Sequence, residues 1–186
     1  MFEAGAFRAL RLEEGDLPSM QAFFDANPEY ELAVNAEPPA PGRARELFAA
    51  VPPDGWPFRE KWLMRFVDEG GAIAGVADVI QDLFAKGIWH VGLFIVATRL
   101  HGMGAGHAMY RGLEEWMREQ GAEWLRLGVV AGNARAERFW EKLGYEEIRR
   151  RYEVPMGRRM NTLRIMAKAL AGGDWAEYFE RVERDR

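Results

Sequence analysis

The segment that most restricts this chain is His101-Gly102-Met103-Gly104-Ala105-Gly106-His107. It sets three glycines between an apolar run ending at Val96 and a stretch in which Met109, Leu113, Trp116 and Met117 recur at helical spacing. The order is strand, glycine loop, amphipathic helix. Consecutive backbone N–H groups and a helix N-terminus then converge on one place, which attracts phosphate, and glycine leaves room for a close approach. Two common phosphate loops do not fit. A dinucleotide fingerprint beginning at Gly102 needs glycine where His107 stands, one beginning at Gly104 needs it where Met109 stands, and a P-loop needs a lysine that the segment lacks.

The remaining pattern surrounds this unit with more sheet. Residues 7–12 read as a strand, about 16–26 as a helix carrying Leu17, Met20, Phe23 and Phe24, and about 43–50 as a second short helix. Residues 61–67 and 72–80 flank Glu69-Gly70-Gly71 as a hairpin, and 88–96 is a third strand. After the loop and its helix come a strand over 124–130, a helix that Asn133 caps and Gly144 ends, and two strands over about 145–154 and 162–169. Trp175, Tyr178, Phe179 and Val182 mark a final helix that packs on the domain. The expected fold class is α/β, a mixed α+β sheet with helices on its faces, in a single domain over 1–186. The prolines at 38, 39, 41, 52, 53 and 57 mark loops within it, not a boundary.

Composition removes several functions. The chain has no cysteine, which excludes disulfides, thiolate metal sites and thiol nucleophiles, and three scattered histidines predict no metal centre. With 25 basic and 29 acidic side chains, the net charge of −4 argues against nucleic acid as a partner. No leader and no run of about 18 apolar residues is present, so a cytoplasmic protein with no membrane partner is expected. The charge is uneven: residues 1–98 carry 8 basic and 15 acidic side chains, whereas 99–164 carry 13 and 9. The glycine loop falls in the basic part.

A second motif resolves the loop. Asn133-Ala134-Arg135-Ala136-Glu137-Arg138-Phe139-Trp140-Glu141-Lys142-Leu143-Gly144-Tyr145 resembles the N-x-x-A-x-x-(F/L)-(Y/W)-x-x-x-G-(F/Y) signature of the GNAT N-acyltransferase superfamily, and the loop resembles that family's (Q/R)-x-x-G-x-(G/A) motif. Two registers are open, from Arg99 or from His101. The second keeps Val96 at the family's valine and places His101 where Gln or Arg is usual.

The resemblance implies a GNAT-like sheet of about seven mostly antiparallel strands, splayed between 88–96 and 124–130. It implies acetyl-CoA as co-substrate, with the pyrophosphate on the amides of His101, Gly102, Met103, Gly104, Ala105 and Gly106. The pantetheine would pair near Ile95 and Val96, with Asn133 and Trp140 beside it, and Arg135, Arg99 and Arg138 would offer charge to the phosphates. Residues 1–60 become the acceptor side, 61–169 the acyl-CoA core and 170–186 a C-terminal helix. The expected activity is acetyl transfer to a primary amine of a small molecule or peptide, by a monomer or homodimer. The alternative is a non-catalytic acyl-CoA sensor, because Trp140 occupies the position of the family's usual acidic tyrosine. Tyr110, Tyr145 and Tyr152 are substitutes in principle. Counting back eleven residues from His101, to where one branch of the family carries a catalytic glutamate, reaches His90, the expected catalytic base. Strand parity would set it on one face with Gly92, Phe94 and Val96. Glu29, Tyr30 and Glu31, in an acidic region with Asp25 and Glu37, are the expected acceptor-binding residues, suited to a cationic amine.

Overall fold

The computed structural model describes residues 1–186. Its strands are β1 (Phe2–Ala4), β2 (Phe7–Arg11), β3 (Glu60–Val67), β4 (Ile73–Gln81), β5 (Ile88–Val96), β6 (Trp124–Val130), β7 (Glu146–Met156) and β8 (Arg159–Ala169). Its helices are α1 (Leu17–Ala26), α2 (Glu29–Asn35), α3 (Arg43–Ala49), α4 (Ala105–Glu119), α5 (Ala134–Lys142) and α6 (Trp175–Arg181). One sheet holds all eight strands in the order β1-β2-β3-β4-β5-β6-β8-β7. The expected mixed sheet is present, with one strand more than the expected seven.

The extra strand is β1. Only three residues long, it folds back on β2 and stacks Phe2 on Trp116 of α4 at 5.6 Å. Gly112 permits this: a Cβ there would lie 2.7 Å from that of Ala4. Helix α2 is also absent from the sequence reading, because seven residues opened by Pro28 carry neither a capping side chain nor a full apolar stripe.

Every neighbouring pair is antiparallel except β5 and β6. Those two run parallel, and they pair only from Ile88 to Val91 against Trp124 to Leu127. Beyond that point they part, leaving the β6-facing edge of Gly92 to Val96 without a strand partner. On the α4 face, Met109, Tyr110, Leu113 and Met117 pack on Met64, Phe66, Val79, Trp89 and Leu125. On the other, α1 and α3 pack Met20, Phe24 and Leu47 on Leu63, Val76, Leu93 and Ile95. A third cluster seats Tyr178 and Val182 on Ile88 and Trp124, so the last helix packs on the domain as expected.

Strand β5 changes face midway. His90 is opposite Ile80 and Val91 opposite Val79, but Asp78 is opposite Leu93, so Gly92 is the extra residue of a β-bulge. Consequently Leu93 and Ile95 face α1 and α3 while Phe94 and Val96 face α4. The strand parity expected from period two is wrong across Gly92: His90 shares its face with Leu93 and Ile95, not with Phe94 and Val96.

Candidate active site

A cleft of about 660 Å³ opens where β5 and β6 part. Ile95 and Val96 form its floor, Phe94, Phe139 and Trp140 an aromatic wall, and the glycine loop one end. Phe94 stacks on Phe139 at 5.9 Å with 13° between the ring planes. Asn27, Glu29, Tyr30 and Ala33 close the side facing α1 and α2.

At the loop end, Gly102 and Gly104 take φ of 79° and 81°, and Gly104 is the residue before α4. This left-handed geometry turns the chain sharply into the helix. The amides of Gly104, Ala105, Gly106 and His107 find no acceptor within the protein; the first N–H of this end to do so is that of Ala108, which donates to the Gly104 carbonyl at 3.1 Å. These four free donors form the positive end of a 15-residue helix, and Gly104, Gly106 and His107 among them line the cleft.

Opposite them, Arg135, Arg138 and Lys142 of α5 line the cleft. None of the three has a carboxylate partner, whereas Glu137 and Glu141 of the same helix bind Arg164 at 3.3 and 2.9 Å on its far side. Helix α5 thus turns its paired charges away and its unpaired cations inward. Such a pairing of free amides with free cations suits a polyphosphate. Arg99 takes no part, being paired with Asp68 at 2.9 Å.

Most of the expected acyl-CoA residues come together here. His101, Gly102, Gly104, Gly106, Asn133, Arg135, Trp140, Ile95 and Val96 all line the cleft. Met103 does not, its side chain being 72% exposed outside it, and Ala105 turns its methyl into the core. Asn133 is the N-cap of α5, accepting from the Ala136 amide at 3.2 Å. The His101 ring donates from Nε2 to the Val96 carbonyl at 2.9 Å, so it stitches the loop to the strand edge.

The expected catalytic and acceptor residues fare differently. His90 lies outside the cleft, in a smaller cavity of about 180 Å³ on the α3 face. Its Nδ1 is 3.3 Å from a guanidinium nitrogen of Arg126, which can only donate. The imidazole therefore carries its proton on Nε2 and has no free lone pair for an amine. Desolvation and the Arg126 charge push its pKa down to about 3. His90 is therefore not a general base; it accepts a hydrogen bond that helps position Arg126.

Glu31 is also withdrawn. It is buried, accepting from Arg43 Nε at 2.5 Å and from Asn35, and it ties α2 to α3. Glu29 does line the cleft, but its carboxylate accepts from the Thr98 hydroxyl at 2.6 Å, which holds its pKa below the usual range. Glu37 is paired with Arg158 at 3.0 Å and Asp25 accepts from Gln21 at 2.8 Å. Of these carboxylates Glu31 and Glu37 are neutralised by Arg43 and Arg158, whereas Glu29 keeps its charge at the wall of the cleft. Of the tyrosines, Tyr110 and Tyr145 share a buried hydrogen bond between their hydroxyls and Tyr152 is exposed on β7; none lines the cleft. Tyr30 does.

Sequence reasoning missed Asp78, which lines the small cavity together with Lys61 and His90. It is the one charge in the run from Ile73 to Ile80, a signal that was available. Phe94, Lys142 and Asn27 were missed as well. Asn27 accepts from the Thr98 amide at 2.7 Å, which joins the end of α1 to the segment after β5.

A sheet split between two parallel neighbours, with a bare helix N-terminus facing the split, is the architecture of an acyl-CoA-dependent acetyltransferase. The chain belongs to the acetyltransferase (GNAT) family, whose sequence profile matches residues 25–145. Among solved structures, the fold is similar to a GCN5-related N-acetyltransferase from Kribbella flavida, at 21% identity and a TM-score of 0.64 over 90% of this chain and all of that one. It is also similar to the ribosomal-protein-S18-alanine N-acetyltransferase of Escherichia coli (19%, 0.64, covering 91% and 97%). A third is the spermidine N-acetyltransferase of Vibrio cholerae in complex with CoA and spermine (16%, 0.68, covering 88% and 95%). A comparison with curated protein sequences gave no match. No helix is long and apolar enough to cross a membrane.

Proposed function

We propose that this enzyme transfers an acetyl group from acetyl-CoA to the nitrogen of a primary amine. The observation that carries the reading is the conjunction of four free amides at the start of α4 with three unpaired cations on α5, across a cleft that ends on an open strand edge. The amides of Gly104, Ala105, Gly106 and His107 receive the pyrophosphate, those of His101 and Met103 being taken by the Thr98 and Leu100 carbonyls, and Arg135, with Arg138 and Lys142, meets the remaining phosphate charge. Ile95 and Val96 offer backbone groups to the pantetheine, Trp140 and Phe139 pack along it, and Asn133 holds the turn beside it. Tyr30, on the acceptor side, supplies a hydroxyl at the wall of the cleft. With no cysteine in the chain, the acetyl group passes directly from sulfur to nitrogen.

Binding is tested by the rise in melting temperature at saturating acetyl-CoA, and turnover by thiol release with a panel of amines. Gly106→Glu is the control: Gly106 has ordinary helical backbone, and a side chain there points at Val96 and Phe139, 3.6 and 3.5 Å from its Cβ. The variant keeps its fold, carries a negative charge into the cleft and loses the shift. An unchanged wild-type melting temperature at millimolar acetyl-CoA refutes the proposal.

A further inference from the structure

The cavity on the α3 face holds a carboxylate with unused capacity. Asp78 is 8% exposed, and its Oδ1 has no hydrogen-bond partner. Its Oδ2 lies 3.5 Å from Lys61 Nζ, a loose contact, because that ammonium is held by the carbonyls of Leu47 and Ala50 at the end of α3, the second at 2.6 Å. Lys61 thus neutralises Asp78 in part and leaves one oxygen free. A buried acceptor without a donor is costly, and water or a ligand entering the adjoining cavity completes it.

The position is equally specific. Asp78 lies across the bulge from Leu93, and a Cβ on Gly92 would lie 3.7 Å from Oδ2. Gly92 is the first residue of β5 beyond its pairing with β6. The free carboxylate oxygen therefore sits at the level where the two strands part, on the face opposite the glycine loop. The cavity beside it is walled by Pro52, Trp56, Ile80 and Leu83.

We infer that Asp78 receives the acceptor amine and takes its proton, and that the acceptor is a primary monoamine with a compact apolar or aromatic body. The inference rests on the acetyl-transfer reading above and identifies its second substrate. The ammonium donates to Oδ1 and loses one proton to the carboxylate, which releases it to water. The neutral nitrogen forms its bond to the thioester carbon, the carbon–sulfur bond breaks, and the second nitrogen proton ends on the departing sulfur. About 180 Å³ accommodates roughly six waters' volume, which fits a small amine. The free oxygen accepts one of the three N–H groups of a single ammonium, and a polycation would meet Lys61, Arg43 and Arg126 without further carboxylates to pair with.

The charges facing Asp78 are Lys61 from β3, Arg43 from α3, the neutral His90 from β5 and the Tyr30 phenol from α2. Burial raises its carboxyl to about 6 against the opposing pull of Lys61 and Arg43. A base of that strength is matched to neutral pH.

Acetyl-CoA binding, amine binding to the acetyl-CoA-loaded protein and thiol release are measured for wild type, Asp78→Asn and Asp78→Glu with n-butylamine, 2-phenylethylamine and spermidine. Expected are turnover of the monoamines above spermidine, a loss of about 100-fold in kcat/KM for Asp78→Asn with acetyl-CoA binding unchanged, and a rise of rate through pH 6 that Asp78→Asn lacks and Asp78→Glu partly restores. Asp78→Asn turning over like wild type, or spermidine outpacing both monoamines, overturns the inference. So does failure of both monoamines to bind a protein that does bind acetyl-CoA, and in that case the acetyl-transfer reading stands. Failure of wild type to bind acetyl-CoA overturns both.

Discussion

Arg126 and Asp185 form a two-pronged ion pair beneath the sheet, Nε to Oδ2 at 2.6 Å and a terminal guanidinium nitrogen to Oδ1 at 2.9 Å. The Arg126 side chain is 3% exposed and that of Asp185 is fully enclosed. Tyr178 adds its hydroxyl to Oδ2 at 2.8 Å. Since Arg126 belongs to the part of β6 that still pairs with β5, opposite His90, this pair holds the C-terminal segment against the root of the split. Removing one member of a buried pair leaves the other charge uncompensated, at a cost of about 3 to 5 kcal/mol. Asp185→Ala is therefore expected to lower stability by that order in urea unfolding. Burial alone would raise the Asp185 pKa, but the Arg126 hydrogen bonds prevail and hold it below the ordinary carboxylate value. Its contribution is present above the unfolded-state pKa and is lost in acid, so the gap between wild type and variant narrows as pH falls below about 4.

His90 contributes with the same sign of pH dependence, over a higher window. Its folded pKa, near 3, lies below the unfolded value of about 6.5. Neutral His90 therefore adds stability relative to the unfolded chain only above that unfolded value, and this is lost progressively as pH falls from about 6.5 toward 3. His90→Gln, which keeps an acceptor for Arg126, should flatten the loss of melting temperature over that window. Because His90 lines the cavity beside Asp78, the KM for the amine should shift in the variant while kcat stays within about threefold of wild type. A 100-fold loss would show that the imidazole acts on the amine after all.

How far the site could be read in advance turns on Gly92. The two motifs that mark the cofactor side are local, each being a loop with the helix that follows it. The spacing of Gly102, Gly104, Asn133 and Trp140 was therefore enough to place them in one cleft. The acceptor side depends on which face each residue of β5 presents, and a single inserted residue reverses that. The isolated glycine in Trp89-His90-Val91-Gly92-Leu93 is a bulge signal, but it does not by itself say on which side of it the period is reset. Among the acidic N-terminal residues, Glu29 reaches the cleft and Glu31 does not, for a related reason. Charge counts along the chain do not see that Glu31 meets Arg43 or that Glu37 meets Arg158.

The cations of α5 make a separate prediction. Arg138 and Lys142 have no partner in the protein, so their removal frees no buried charge and leaves the fold intact. Each charged contact to phosphate is worth about 1.5 kcal/mol or somewhat more, or roughly tenfold in affinity. Arg138→Ala and Lys142→Ala should each weaken acetyl-CoA binding by about that factor in calorimetry, more at low salt than at high. Removal of the CoA 3′-phosphate should shrink the effect of whichever residue meets it. Equal losses at all salt concentrations would contradict an electrostatic role.

Tyr30 is the tyrosine that lines the cleft, and a role as hydrogen-bond donor to the leaving group is the prediction to test. Burial, with the nearby Glu31 carboxylate, raises its pKa to about 12, so the phenol keeps its proton across any usable assay range. A group that stays protonated can donate a hydrogen bond to the developing thiolate, and it adds no limb to the pH profile near neutrality. Tyr30→Phe removes the hydroxyl while leaving the ring packed on the α1 and α3 core. Its expected result is a fall of about tenfold or more in kcat, with acetyl-CoA affinity and the rise through pH 6 both retained. Loss of acetyl-CoA affinity with kcat preserved would instead make Tyr30 a wall of the binding cleft and nothing more.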